Sequence, residues 1–105
     1  MKCVTDFGVY DVDVSVESYA CNDNLAIVLN ELTTGPFATL TVNLYDDLPE
    51  DMAFVDINNY PWAEEFIKEN NLGEPTGKYG KSGFCVYPLY RFYLDKIEGD
   101  ERCEE

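Results

Sequence analysis

From Tyr10 to Glu17 the chain reads YDVDVSVE, an unbroken alternation that puts Tyr10, Val12, Val14 and Val16 on one side and Asp11, Asp13, Ser15 and Glu17 on the other. A period of two fits a half-buried strand and no helix, because successive strand side chains point to opposite faces. The solvent face of that strand is acidic. A turn signal, CNDN (residues 21–24), leads into LAIVLNEL, a second strand. TTGP (residues 33–36) leads into FATLTVNL, where Ala38, Leu40, Val42 and Leu44 oppose Phe37, Thr39, Thr41 and Asn43. Strands joined by short polar turns predict an antiparallel meander.

YDDLPEDM (residues 45–52) reads as an acidic loop, and AFVDI as a short fourth strand. NNYPWAEEFIKENNLG carries helix signals: Asn59 or Tyr60 as N-cap, Pro61 in the first turn, Glu64 and Glu65 near the positive end. Its apolar stripe is Trp62, Ala63, Phe66 and Ile67, and Gly73 follows as a C-cap glycine, giving a helix of about three turns. FCVYPLYRFYLDKI is rich in aromatic and β-branched residues and reads as a last strand. Its Pro88 demands a bulge or an edge position. The expected fold is α+β: one antiparallel sheet of four to five strands in β-β-β-β-α-β order, with one helix packed on one face. A single domain over 1–97 and a polar, frayed acidic tail over 98–105 complete the expectation.

GEPTGKYGKSG (Gly73–Gly83) has the vocabulary of a phosphate-binding loop. A P-loop, however, needs a glycine where Pro75 stands and leads from a strand into a helix. This stretch leaves a helix C-terminus, the negative end, so it reads as a flexible, locally positive connection. Without histidine, Cys-His and Ser-His catalysis are excluded, and Cys3, Cys21, Cys85 and Cys103 have no zinc-module spacing. They read as reduced thiols. No catalytic residue, cofactor or metal is expected.

Charge is the most informative property. The chain has 21 acids against seven lysines and arginines, a net charge of −14. Residues 46–74 hold nine acids and one base (net −8), whereas residues 75–94 hold three bases and no acid (net +3). Direct nucleic-acid binding and adhesion to anionic membranes are both disfavoured. No apolar run is long enough to span a membrane, and the lysine-poor start is no signal peptide, so the expected compartment is the cytoplasm. Carboxylates on a strand (Asp11, Asp13), a loop (Asp46, Asp47, Glu50, Asp51) and a helix (Glu64, Glu65, Glu69) form an ordered anionic array, a pattern that suits imitation of duplex phosphates. The expected partner is then a basic nucleic-acid-binding protein or nuclease. A second candidate surface is the Tyr-rich last strand, with Tyr87, Arg91 and Tyr93 as partner contacts. The chain is expected to be a monomer or a homodimer paired through an exposed strand.

GPFATLTVNL and AFVDINNYPWAEEFIKENNLGEPTGKYGKSGFCVYPLYRFYL together resemble a family that is a domain of unknown function, found in small acidic proteins of gut bacteria and often on mobile genetic elements. The resemblance spans Tyr19 to Leu94, carried by the Thr41-Val42-Asn43-Leu44, Asp56–Asn59 and Ser82-Gly83-Phe84 blocks. It brings no site residues. What it implies is context: small acidic proteins on mobile elements often block host-defence nucleases. The expectation is therefore a non-enzymatic inhibitor of a CRISPR effector nuclease of the Cas9 type, or of a restriction enzyme, acting by DNA mimicry. The alternative is an accessory protein–protein module of a mobile element that uses the Tyr-rich strand.

Overall fold

The structure, a computed structural model, describes residues 1–19, 23–44 and 47–97. The expected tail over 98–105 and the cysteines Cys21 and Cys103 lie outside the described residues. The first sheet holds β1 (Lys2–Thr5), β2 (Gly8–Ser18), β3 (Leu25–Glu31) and β4 (Gly35–Thr39), in that spatial order and antiparallel throughout. The second holds β5 (Thr41–Val42), β6 (Met52–Val55), β7 (Gly73–Ser82) and β8 (Cys85–Phe92), in the order β5-β6-β8-β7. One helix, α1 (Ala63–Glu69), connects β6 to β7. The α+β class stands, but the single sheet does not: among the described residues, eight strands form two sheets.

The division falls at Leu40. FATLTVNL alternates as one strand would, yet the chain changes sheets in its middle. Leu40 donates its N–H to the Ile27 carbonyl of β3 (2.8 Å), and its own carbonyl accepts from Asp56 N–H beside β6 (2.9 Å). Thr41, also buried, fastens the crossing: its Oγ1 accepts Ile27 N–H at 3.2 Å, and Tyr19 Oη donates to its carbonyl at 3.0 Å. A fully buried pair of backbone groups must be satisfied, and this crossing satisfies them from both sheets.

The main core lies between the sheets and the helix. Val12, Ile27, Leu29 and Leu40 meet Val55, Phe92 and the buried helix residues Ala63, Phe66 and Ile67. An aromatic seam from Tyr10 through Phe37 and Trp62 to Phe66, with centroids 5.0 to 6.3 Å apart, joins the first sheet to α1. The other face of the second sheet buries Phe54, Tyr87 and Leu89 under Leu44 and Leu48. From Tyr87 to Tyr90, β8 is therefore covered on both faces.

The helix is shorter than expected. Its N-cap is Trp62, which makes no side-chain cap. Asp56 instead organises the preceding turn, accepting Asn59 N–H (3.1 Å) and Asn59 Nδ2 (2.9 Å) on its two oxygens. At the far end Asn71 takes φ +53°, Asn71 N–H bonds Lys68 O and Leu72 N–H bonds Ile67 O. This is a Schellman cap with Asn in the left-handed position. Gly73 is thus no cap. It opens β7, where a Cβ would sit 2.5 Å from the Arg91 carbonyl oxygen.

GEPTGKYGKS is a ten-residue strand, not a flexible connection. It pairs with β8 from Gly73↔Phe92 to Ser82↔Cys85, turning through Gly83 (φ +60°) and Phe84. Glycine at the first central position is what a two-residue hairpin turn of type II′ uses. The bulge expected from Pro88 exists, between Pro75 and Tyr79 on the opposing strand. The edge position does not: β8 is central, and its pairing to β6 reaches only as far as Leu89, the residue that follows Pro88. Strand character ends at Phe92, and residues 94–97 form a helical turn instead of continuing the strand.

Candidate functional site: two carboxylate grooves along the β7–β8 ends

Where β7 leaves α1, a groove of about 690 Å³ opens between them. Glu64, Glu65 and Glu74 line it with Lys68, over Tyr90 and the apolar edges of Pro61, Ile67 and Pro75. The helix periodicity that buries Phe66 and Ile67 inward leaves Glu64 and Glu65 outward. Tyr90 is only 5 % exposed, and its Oη donates to Glu64 at 2.5 Å. Burial first, and then the Glu64 carboxylate, push the phenol well above its usual range. It stays protonated and holds Glu64 in place from below.

A second groove of about 670 Å³ lies across the same strand ends, with Glu50, Asp51 and Asp95 among its lining residues, together with Arg91 and Tyr93. The two share a ladder: Gly73 pairs with Phe92 and Glu74 with Arg91. Arg91 Nε bonds Asp51 at 3.0 Å, and Tyr93 Oη donates to Glu74 at 2.7 Å. The Asp51 bond raises the Arg91 guanidinium above its ordinary value, and the Glu74 bond does the same for Tyr93. Arg91 neutralises Asp51, so the free negative charge of this groove rests on Glu50 and Asp95. No group of three or more acids or cysteines among the described residues converges closely enough to hold a metal ion. The carboxylates are spread as an array.

The residues singled out from sequence distribute unevenly over this surface. Glu64 and Glu65 fall in the first groove, and Glu50 and Asp51 in the second. Glu69, exposed on the next turn of α1, borders with Glu65 a small hollow against Lys2 and Val4. Asp47 is exposed in the loop before Glu50. Asp46 lies outside the described residues. Asp11 and Asp13 are exposed on β2 of the first sheet, opposite Lys2 and Asn30, and line neither groove. Of the second candidate surface, Tyr87 is buried in the small core against Phe54 and is no surface contact, since Leu44 and Leu48 cover that face of β8. Arg91 and Tyr93 do reach the surface, each tied to a carboxylate. Sequence reasoning misses Glu74 and Asp95, which line the grooves. Glu74 sits between a glycine and a proline in a stretch that reads as loop, and no sequence signal places it opposite Arg91.

Comparison with known proteins adds one finding. A family model described as a domain of unknown function (DUF4313) matches residues 13–105, and the chain belongs to that family. No curated protein matches the chain, and no solved structure does. Among the described residues, no helix is long and apolar enough to cross a membrane.

Proposed function

We propose that this DUF4313 protein is a non-catalytic inhibitor that occupies the basic nucleic-acid-binding cleft of a host-defence nuclease, a CRISPR effector of the Cas9 type or a restriction enzyme. The observation that carries the proposal is the pair of adjoining grooves, with Glu64, Glu65 and Glu74 in one and Glu50 and Asp95 in the other, where Asp51 is paired with Arg91. These side chains stand on a helix, a strand and a short loop that packing holds in place. A cleft evolved for closely spaced phosphates offers lysines and arginines at matching density. Fixed carboxylates meet them without the ordering entropy that a disordered acidic tail must lose. Spread charge suits this role better than convergent charge, which would favour a single cation. The resemblance to small acidic proteins of gut-bacterial mobile elements supports a defence nuclease as the target class.

Competition for duplex DNA tests the reading. Effector complexes and restriction enzymes are loaded with labelled target duplex at low salt, and the protein is titrated in. Displacement of the duplex supports the proposal. Unchanged DNA binding by all of them at large molar excess sinks it.

A further inference from the structure

Six of the eight large hydrophobic side chains exposed among the described residues lie on two hairpins: Val4 (54 %), Phe7 (90 %) and Val9 (60 %) on β1–β2, and Tyr79 (67 %), Phe84 (104 %) and Val86 (44 %) on β7–β8. Scattered exposed apolar residues need no explanation, but two ordered clusters do. On β1–β2, Val4 and Val9 are cross-strand partners, and Phe7 stands at a tip that Thr5 Oγ1 holds by accepting Phe7 N–H at 3.1 Å. On β7–β8, Val86 lies on the same face of β8 as Tyr90 and Phe92. Those two enter the main core, whereas Val86 and Tyr79, nearer the Gly83 turn, stay exposed.

The two clusters carry opposite charge. Beside Val4 and Val9 stand Asp6, Asp11, Glu65 and Glu69 against Lys2 alone. Beside Tyr79 and Val86 stand Lys78 and Lys81, and the chain has no acid from Pro75 to Leu94. We propose that the β7–β8 hairpin of one copy seats on the β1–β2 hairpin of a second copy of this chain, giving a head-to-tail contact. Phe84 and Val86 meet Val4, Phe7 and Val9, and Lys78 and Lys81 face the carboxylates around them. Two different patches join, so the contact is heterologous and propagates from copy to copy. An isologous β7–β7 pairing is opposed by the devices that guard exposed edges: Pro75, the bulge and the lysines. Hairpin tips cover well under the roughly 800 Å² per partner of a standard interface, so the association belongs to the weak, reversible class. With net charge −14, long-range repulsion opposes it at low salt. A Debye length of about 8 Å at physiological ionic strength removes most of that opposition. Self-association therefore strengthens between low and physiological salt, the opposite trend from insertion into a basic cleft, and it uses none of the groove carboxylates except Glu65 at its border.

Sedimentation velocity at physiological salt and rising concentration, with two variants, decides the matter. Phe7→Ser and Phe84→Ser alter side chains at least nine-tenths exposed and leave both cores untouched. The expected result is concentration-dependent association of the unmodified protein, monomeric behaviour of each variant alone, and a one-to-one complex when the two variants are mixed, because each supplies the patch the other lacks. A monomer throughout overturns the proposal. Self-association that persists in Phe7→Ser alone overturns it in favour of an isologous contact, and so does a mixture that stays monomeric.

Discussion

At the scale of single residues, two glycines and a thiol show what position demands. Gly73 and Gly80 stand in a strand although glycine weakens strands. A Cβ at Gly73 would lie 2.5 Å from the Arg91 carbonyl, and one at Gly80 would lie 2.6 to 2.8 Å from Phe54 and Leu44. The backbone of β7 approaches its neighbours so closely that no side chain fits, and at Gly73 the obstacle is backbone that has no rotamer to yield. Gly73→Ala is expected to destabilise the fold by about 1–3 kcal/mol, lowering the melting temperature by roughly 4–8 °C per kcal/mol, measured by calorimetry. An unchanged melting temperature would contradict the close approach. Cys3 is fully buried, and burial pushes its thiol from 9.0 up to about 11. The folded state keeps that proton where the unfolded chain gives it up. The stabilisation is complete below pH 9 and is lost as pH rises towards 11, at about 1.4 kcal/mol per pH unit for one proton. Cys3→Val should remove that share of the slope, read as urea midpoints between pH 8 and 11 (about the range in which the thiol titrates). The slope persists unchanged if the thiol is not protected.

At the scale of elements, the crossing at Leu40 and Thr41 holds the two sheets in one body. Thr41→Val keeps the shape but removes the Oγ1 that accepts Ile27 N–H and meets Tyr19 Oη at 3.1 Å. An orphaned buried N–H costs about 1–3 kcal/mol, and chemical denaturation should show that loss, whereas Thr41→Ser should retain most of the stability. A loss equal in both variants would assign the effect to packing instead. This crossing also marks where the sequence stops being legible. The alternation of FATLTVNL is continuous, and nothing local says that Leu40 belongs to neither sheet. β2 is legible because its inner face is apolar and its outer face acidic, and β3 and β6 because each is a short apolar run, β6 being buried on both faces. β7 is illegible for a different reason: its three glycines carry no periodicity, and its strand form comes from β8 alongside it. Tyr87 follows the same logic, since alternation assigns it a face but not the Leu44 and Leu48 that cover that face. Of the candidate site, the exposure of Glu64 and Glu65 could be read from helix periodicity. Their meeting with Glu74 could not, because it depends on where β7 runs.

At the scale of the whole molecule, charge is segregated over a scaffold whose described residues are mostly strand. The anionic grooves border the α1 end of the β7–β8 ribbon, and the lysines lie toward its tip. The polarity gives an approaching basic cleft a preferred face, with Lys78 and Lys81 turned away from it. The affinity of the proposed complex should then depend on the grooves and not on net charge alone. The decisive measurement compares the unmodified protein with a variant carrying Glu50→Gln, Glu64→Gln, Glu65→Gln, Glu74→Gln and Asp95→Asn, and with a control that neutralises the same number of acids elsewhere, including Asp11 and Asp13. Association with a nuclease that the protein displaces from DNA is followed from low to physiological salt. The account predicts that the groove variant associates about tenfold more slowly or worse and loses most of the salt dependence, while the control stays close to the unmodified protein. Equal losses in the two variants, or none in either, would contradict the claim that these two grooves form the surface that imitates nucleic acid.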